Sequence, residues 1–322
     1  MKQYIIRRIL ISILILFGVS LIIYALIRMM PGDYVDIATA NLKDVTPAMK
    51  EHFKHLYGLD KGILEGYIDW VVKMFHGDFG NSWVYGYSVV KVFSRRVMIS
   101  FTLNVISFVL QCLIAIPLGI VSATKQYSKL DYTITTLAFI GISMPSFFFA
   151  VLLQRVFSMW LGLVPLQGMV NARADYTGIM HILDMAHHFI LPLVVFTILS
   201  VGSLLRYTRT NMLEVLNSDY IRTARAKGVS EHSTIYKHAF RNTLIPIVTM
   251  LGGSIPALFT GAMITEQLFA IEGVGRAAIK AITLGDIPFM MFYYMFLSLM
   301  TLVGILISDI LYAVVDPRVR LS

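Results

Sequence analysis

Six uncharged apolar runs, at residues 9–27, 97–124, 132–154, 189–205, 242–265 and 287–308, constrain this chain more than any other feature. A helix rises about 1.5 Å per residue, so the 19 residues of the first run cross a bilayer's hydrocarbon core, roughly 30 Å thick. The competing reading of that run is a signal peptide. Such a peptide has an apolar region of about 7–15 residues, and the nearest Ala-x-Ala site, at Ala38 and Ala40, lies far past the run. An uncleaved first span is therefore expected. Only 14% of the 322 residues are charged, against about 25% in a soluble domain, and mean hydropathy is +0.72.

The fold class that follows is an all-α membrane protein with six transmembrane helices and both termini on one side. Residues 1–28 form the N-terminus and first span, 29–96 an extracytoplasmic subdomain, and 97–322 a core of five spans. The subdomain has turn signals at Pro31-Gly32 and at 77–80, and a helical pattern over residues 49–75. Lys and Arg collect at the N-terminus, between residues 122 and 131, and most densely over 206–241, whereas the short loops 158–188 and 269–286 carry few. By the positive-inside rule the basic segments are cytosolic. The net charge of +8 is thus a topological signal and a means of meeting anionic lipid head groups, with no basic aromatic face to suggest nucleic acid.

The longest polar segment between two spans, residues 206–242, is where a soluble partner is expected to touch the protein. Within it Tyr220, Ile221, Ala224 and Gly228 fall on one helical arc, and Arg222 and Arg225 point away. Ser218 offers a capping oxygen, Asp219 suits the positive end of the helix dipole, and Gly228 suits a left-handed C-terminal stop. A second helix is expected from Ser230, with Ile235, Tyr236, Ala239 and Phe240 on one side and Lys237 and Arg241 on the other.

Chemistry-bearing clusters are sparse. Cys112 stands alone in an apolar run and reads as a small buried hydrophobe. His52 and His55 lack a third ligand. His181, Asp184 and His188 share a helix face and are weighed as a metal site against an interfacial helix; the latter is preferred. Arg155, Glu266 and Asp309 lie near span ends, where snorkelling or interface pairing is expected rather than ion transport. Pro117, Pro145, Pro192, Pro256 and the Gly252-Gly253 pair permit kinks and close helix approach. The sequence contains no P-loop, no His-Glu-x-x-His and no Gly-x-Ser-x-Gly, so neither ATP hydrolysis by that route nor catalysis by this chain is supported.

RTARAKG at 222–228, followed by His238 and Pro246, resembles the coupling loop of ABC importer permeases. The form is that of the B-type subunits of oligopeptide and dipeptide importers. MPGD (30–33), YGLD (57–60), GDFG (77–80), YSKLDY (127–132), SMPSF (143–147), EQLFAIEGVG (266–275) and LYAVVDPRVR (311–320) resemble the family pattern in its order. One departure is that Arg222-Thr223-Ala224 stands where importers in general have Glu-Ala-Ala; this favours the peptide branch. The resemblance implies a bacterial plasma membrane permease, paired with a second permease subunit, two cytosolic ATPase subunits and an extracytoplasmic substrate-binding protein. It implies no cofactor in this chain, ATP and Mg²⁺ being held by the ATPases. Asp219, Tyr220, Ile221, Arg222, Thr223, Ala224, Arg225, Lys227, Gly228 and His238 become the ATPase-coupling residues, with Tyr220, Ile221, Ala224 and Gly228 buried in the joint. Glu266, Glu272, Gly273 and Gly275 become contacts with the binding protein at the outer mouth. Relatives that import nickel or metal chelates read alike, and a self-sufficient secondary transporter or channel is the alternative of another class.

Overall fold

The computed structural model describes residues 2–30, 32–40 and 45–315. Pro31, in the first turn signal, and the end of the last motif, from residue 316, lie outside the described residues. Helix α1 (Lys2–Arg28) realises the first apolar run. The segment that follows holds α2 (Tyr34–Thr39), α3 (Pro47–Leu56) and α4 (Ile63–Phe75). The helical pattern over 49–75 is therefore two helices, split where Gly58 takes a left-handed φ of +63°. Arg28 fixes that turn to the end of α1 by donating to the carbonyls of Leu59 and Lys61, at 3.0 and 2.8 Å. Trp83 packs its ring on Tyr34 and Tyr57, with centroids 5.3 and 4.9 Å away, which gives this small subdomain an aromatic centre. Lys54 donates to Asp36 at 3.0 Å and pairs with Asp33 at 2.7 Å. That ammonium holds the Asp36 carboxyl below its ordinary value, and Asp33, then Asp36, raises Lys54.

The core consists of α5 (Val89–Thr124), α6 (Lys129–Ser143), α7 (Ser146–Leu153), α8 (Ile179–Leu216), α9 (Asp219–Ala226), α10 (Glu231–Ser233), α11 (Phe240–Gly253), α12 (Ala257–Thr260), α13 (Met263–Leu268), α14 (Val274–Leu284) and α15 (Ile287–Val315). Among the described residues α1, α5, α8, α15 and the run from α10 to α13 are long and apolar enough to cross a membrane. The third apolar run is bent by 104° between α6 and the helix that begins at Ser146. Its break falls at Met144-Pro145, where proline removes a backbone donor and bars the preceding residue from helix. One straight third span is thus replaced by a broken one. Pro117 and Pro192 instead lie within continuous helices.

Pairings across the core define its two ends. Thr197 meets Ser107 and Arg209 meets Ser122, so α5 and α8 run parallel. Arg8 on α1 pairs with Asp309 on α15 at 2.7 Å, and Tyr24 packs in one cluster with Tyr293, so these two run antiparallel. This is the interface pairing expected for Asp309. The subdomain lies at the opposite end, where buried Asp286 accepts from Ser82 Oγ and from the amides of Val84 and Phe289, both 3.2 Å.

Candidate functional site

Helix α9 has the boundaries its sequence implies, by a partly different mechanism. Ser218 sits at the N-cap in extended conformation, yet its hydroxyl donates to the Val215 carbonyl at 2.6 Å and leaves the first amides of α9 uncapped. The expected side-chain cap is therefore not made, because the carbonyl at the end of α8 is nearer. At the other end Gly228 has φ +78°. Its amide donates to Arg225 O (3.0 Å) and the Val229 amide to Ala224 O (3.2 Å), the paired bonds of a Schellman stop.

The arc proposed for the joint divides in two. Ile221 is fully buried, packed with Ile120, Ala123, Met212 and Ala239, which belong to the ends of α5, α8 and the start of the next span. Burying such a side chain contributes about 1.5–3 kcal/mol. Ala224 is half-buried beside it, whereas Tyr220 is 47% exposed and Gly228 exposed. Ile221 therefore belongs to the permease's own core, because α9 lies flat on the span ends and turns that side inward. What remains open on α9 and its C-terminal stop is Asp219, Tyr220, Arg222, Thr223, Ala226, Lys227 and Gly228, with Arg222 near Asp219 at 3.5 Å. Arg225 is engaged: its guanidinium binds Glu231 twice, at 3.1 and 2.7 Å, and ties α9 to α10 across the Gly228 turn.

After α10 the chain forms a π-helical turn, Thr234–Ala239. The extra residue in each hydrogen-bonded loop shifts the helical phase, so Thr234, Ala239 and Thr243 are buried and Tyr236, expected on the same side as Ala239, is 46% exposed. His238, expected among the coupling residues, is half-buried within this turn.

Directly above α9 lies a cluster that sequence reasoning missed. Arg209 on α8 donates Nε and Nη2 to the two oxygens of Asp131 on α6, each at 2.8 Å. Ser122 on α5 donates to the same carboxylate, as does the Tyr127 amide at 3.0 Å. Asp131 is 2% exposed, so this two-pronged pair locks the ends of three helices together where α9 rests. Asp131 within YSKLDY and the Arg206/Arg209 pair one turn past a span were the only signals available.

At the opposite end Glu266 is 1% exposed. Its carboxylate accepts from Ser100 Oγ (2.7 Å) and from the amides of Arg276 (2.8 Å) and Ala262 (3.1 Å). Gly261 and Gly273 crowd it so closely that a Cβ at either would collide with its oxygens, and a Cβ at Gly275 would collide with the Met263 amide nitrogen. Glu266, Gly273 and Gly275 are thus interior, not at the mouth; a carboxylate left on the surface could not gather those donors. Of the four residues expected there, only Glu272 is exposed, pairing with Arg276 (2.6 Å) and Arg96 (3.4 Å).

In the histidine segment Asp184 accepts the Asn171 amide at 2.6 Å and lies 3.5 Å from the His188 ring. The His187 ring meets Leu163 O at 3.0 Å. These bonds fasten loop 161–178 to the start of α8, as Gln154 fastens it by donating to Leu166 O and Leu268 O.

Residues 115–321 match the family described as binding-protein-dependent transport system inner membrane component, and residues 1–103 its N-terminal counterpart. The chain is 39% identical to the oligopeptide transport system permease protein AppB of Bacillus subtilis, over 99% of this chain and all of that protein. It is 34% identical to the dipeptide transport system permease protein DppB of Escherichia coli K12, over 99% of each. In fold it is similar to a chain of the inward-facing MetNI methionine ABC transporter (TM-score 0.56, 15% identity, 70% of this chain and 97% of that one). The match along the chain, the crossing helices and the shared fold agree: this protein belongs to the family of inner membrane components of binding-protein-dependent transport systems, the permease subunits of ABC importers.

Proposed function

We propose that this permease imports oligopeptides or dipeptides, driven by two cytosolic ATPase subunits that bind ATP and Mg²⁺. It would pair with a second permease subunit and receive substrate from an extracytoplasmic binding protein. The peptide substrate rests on the similarity to AppB and DppB across the whole chain. The orientation, with both termini and α9 in the cytosol, rests on the basic residues of 206–241. The carrying observation for the mechanism is that Ile221 joins α9 to the ends of α5 and α8 while Tyr220 stays open.

An ATPase groove that grips the open side of α9 moves a lever already packed on the spans. When the ATPase dimer closes on nucleotide, displacement of α9 passes through Ile221 to α5 and α8. The Asp131–Arg209 pair carries α6 with them. Rigid-body turning of the spans then alternates access to the pathway. The chain itself supplies no catalytic group in this scheme.

The test is co-purification of Tyr220→Glu and Gly228→Arg variants with the ATPases, followed by peptide-dependent ATP turnover. Persistence of both association and turnover overturns the coupling role. Uptake of labelled peptide against Ni²⁺ by the assembled importer checks the substrate, and uptake of nickel alone overturns the peptide reading.

A further inference from the structure

The turn between α5 and α6 carries a tyrosine that the packing of this chain does not explain. Tyr127 has φ +62°, one of two left-handed non-glycine residues among the described residues. In that conformation a β-carbon crowds the following carbonyl, a cost that glycine escapes and asparagine meets more readily. Packing does not offset the cost, since Tyr127 is 72% exposed. Hydrogen bonds enforce it instead: the Tyr127 amide donates to Asp131 at 3.0 Å, and Ser128, which caps α6, accepts the Asp131 amide at 3.2 Å. A bulky side chain held in a costly conformation and turned outward points to a contact beyond the chain.

Depth and neighbours indicate what Tyr127 meets. Ser122, near the end of α5, bonds to Arg209 on α8, four residues past the apolar run that ends at Leu205. At about 1.5 Å per residue the turn stands roughly 10 Å beyond that run, past a head-group layer of about 5–7 Å. A lipid anchor would lie nearer the run. Beside the turn is α9, whose Ile221 packs on Ile120 and Ala123, one turn up α5 from Tyr127. We propose that Tyr127 is a second contact for the cytosolic ATPase that grips α9. Its ring fills an apolar depression on the rim of the ATPase groove, and the exposed Lys125 and Lys129 face acidic side chains around it. The inference rests on the coupling reading of α9, and it gives α6 a lever of its own. Force on Tyr127 passes through its amide to Asp131, and from there to Arg209 and Ser122. Force on α9 enters separately, through Ile221. Loss of the Tyr127 ring therefore leaves the ATPase held by α9 but weakens transmission to α6.

The test uses the complete importer, both permease subunits with their ATPases, in nanodiscs. Tyr127→p-benzoylphenylalanine and, separately, Tyr220→p-benzoylphenylalanine are irradiated, and the adducts are identified by mass spectrometry. Both positions should attach to an ATPase subunit. Tyr127→Asn relieves the backbone and removes the ring, so its melting temperature should hold or rise while ATP turnover stimulated by binding protein and peptide falls about fivefold. Tyr127→Phe should keep the stimulated turnover. A tyrosine with a purely structural role cannot move the two readouts of Tyr127→Asn in opposite directions. Unchanged stimulated turnover in Tyr127→Asn overturns the proposal, as does an adduct at 127 with lipid or with the second permease subunit. Failure at 127 alone, with 220 attached to an ATPase, overturns the second contact and leaves α9 as the joint. Failure at 220 as well overturns the coupling reading of α9, and the role of Tyr127 with it.

Discussion

Glu266 and Ser100 lie 166 residues apart in sequence and 2.7 Å apart in space, and the Ser100 oxygen also accepts the Val274 amide at 2.9 Å. One hydroxyl on α5 thus holds both strokes of the chain that enclose Glu266. Glu266→Ala leaves buried amides of Ala262 and Arg276 unanswered, and it should destabilise the purified permease by about 2–4 kcal/mol. Glu266→Gln keeps one acceptor but turns an amide toward a donor, and should lose about half as much. Thermal unfolding in nanodiscs reads both; an unchanged melting temperature for Glu266→Ala would contradict the buried network.

Asp131→Asn should disturb three helix ends at once, because it leaves the Arg209 guanidinium facing a group that cannot match its charge. Breaking one partner of a buried pair costs about 3–5 kcal/mol, and Arg209, at 23% side-chain exposure, favours the lower value. A double-mutant cycle with Arg209→Gln should return a coupling energy of at least about 1 kcal/mol. Additive effects would mean that the pair does not act as one unit.

Ile221 and Tyr220 are neighbours with opposite environments, fully buried and 47% exposed. Ile221→Ala should cost about 2–4 kcal/mol of stability, whereas Tyr220→Ala should change stability by less than about 0.5 kcal/mol. On the coupling reading, Tyr220→Ala should nevertheless weaken ATPase association. Melting curves and pull-down yields taken on the same preparations separate the two effects.

The subdomain should respond to pH through Lys54 and Asp36. Asp36 ordinarily titrates at 3.8 and is lowered by Lys54, so its contribution is complete above that value and lost as pH falls through the lower folded value. Lys54, ordinarily 10.5 and raised, contributes fully below that value and loses it as pH climbs through the raised folded one. These groups are roughly a third exposed, so the effect is a few tenths of a kcal/mol. Amide protection over residues 34–39 and 47–56, taken as exchange relative to the intrinsic rate at each pH, should fall slightly on acidification below about pH 4, and Lys54→Gln should flatten that response.

The apolar runs determined the crossing helices, since in lipid only a helix lets a single continuous apolar run satisfy its backbone within itself, and Gly228 determined where α9 stops. Both are local effects, carried by composition and by one residue's conformational freedom. Which way each helix turned was another matter. Helical periodicity drew one arc through Tyr220, Ile221 and Ala224, but only the packing of Ile120, Ala123 and Met212 decided that Ile221 points into the permease. The π-helical turn then rotated Tyr236 outward, an insertion no 3.6-residue pattern registers. Pro145 marked where the third run breaks, whereas the partners that α6 and α7 find along α8 are fixed only in the folded chain. Glu266 and Asp131 stood in recognisable motifs, yet their partners Ser100 and Arg209 are brought to them only by the folded chain. A buried carboxylate persists where donors converge on it, and that convergence is a property of tertiary structure.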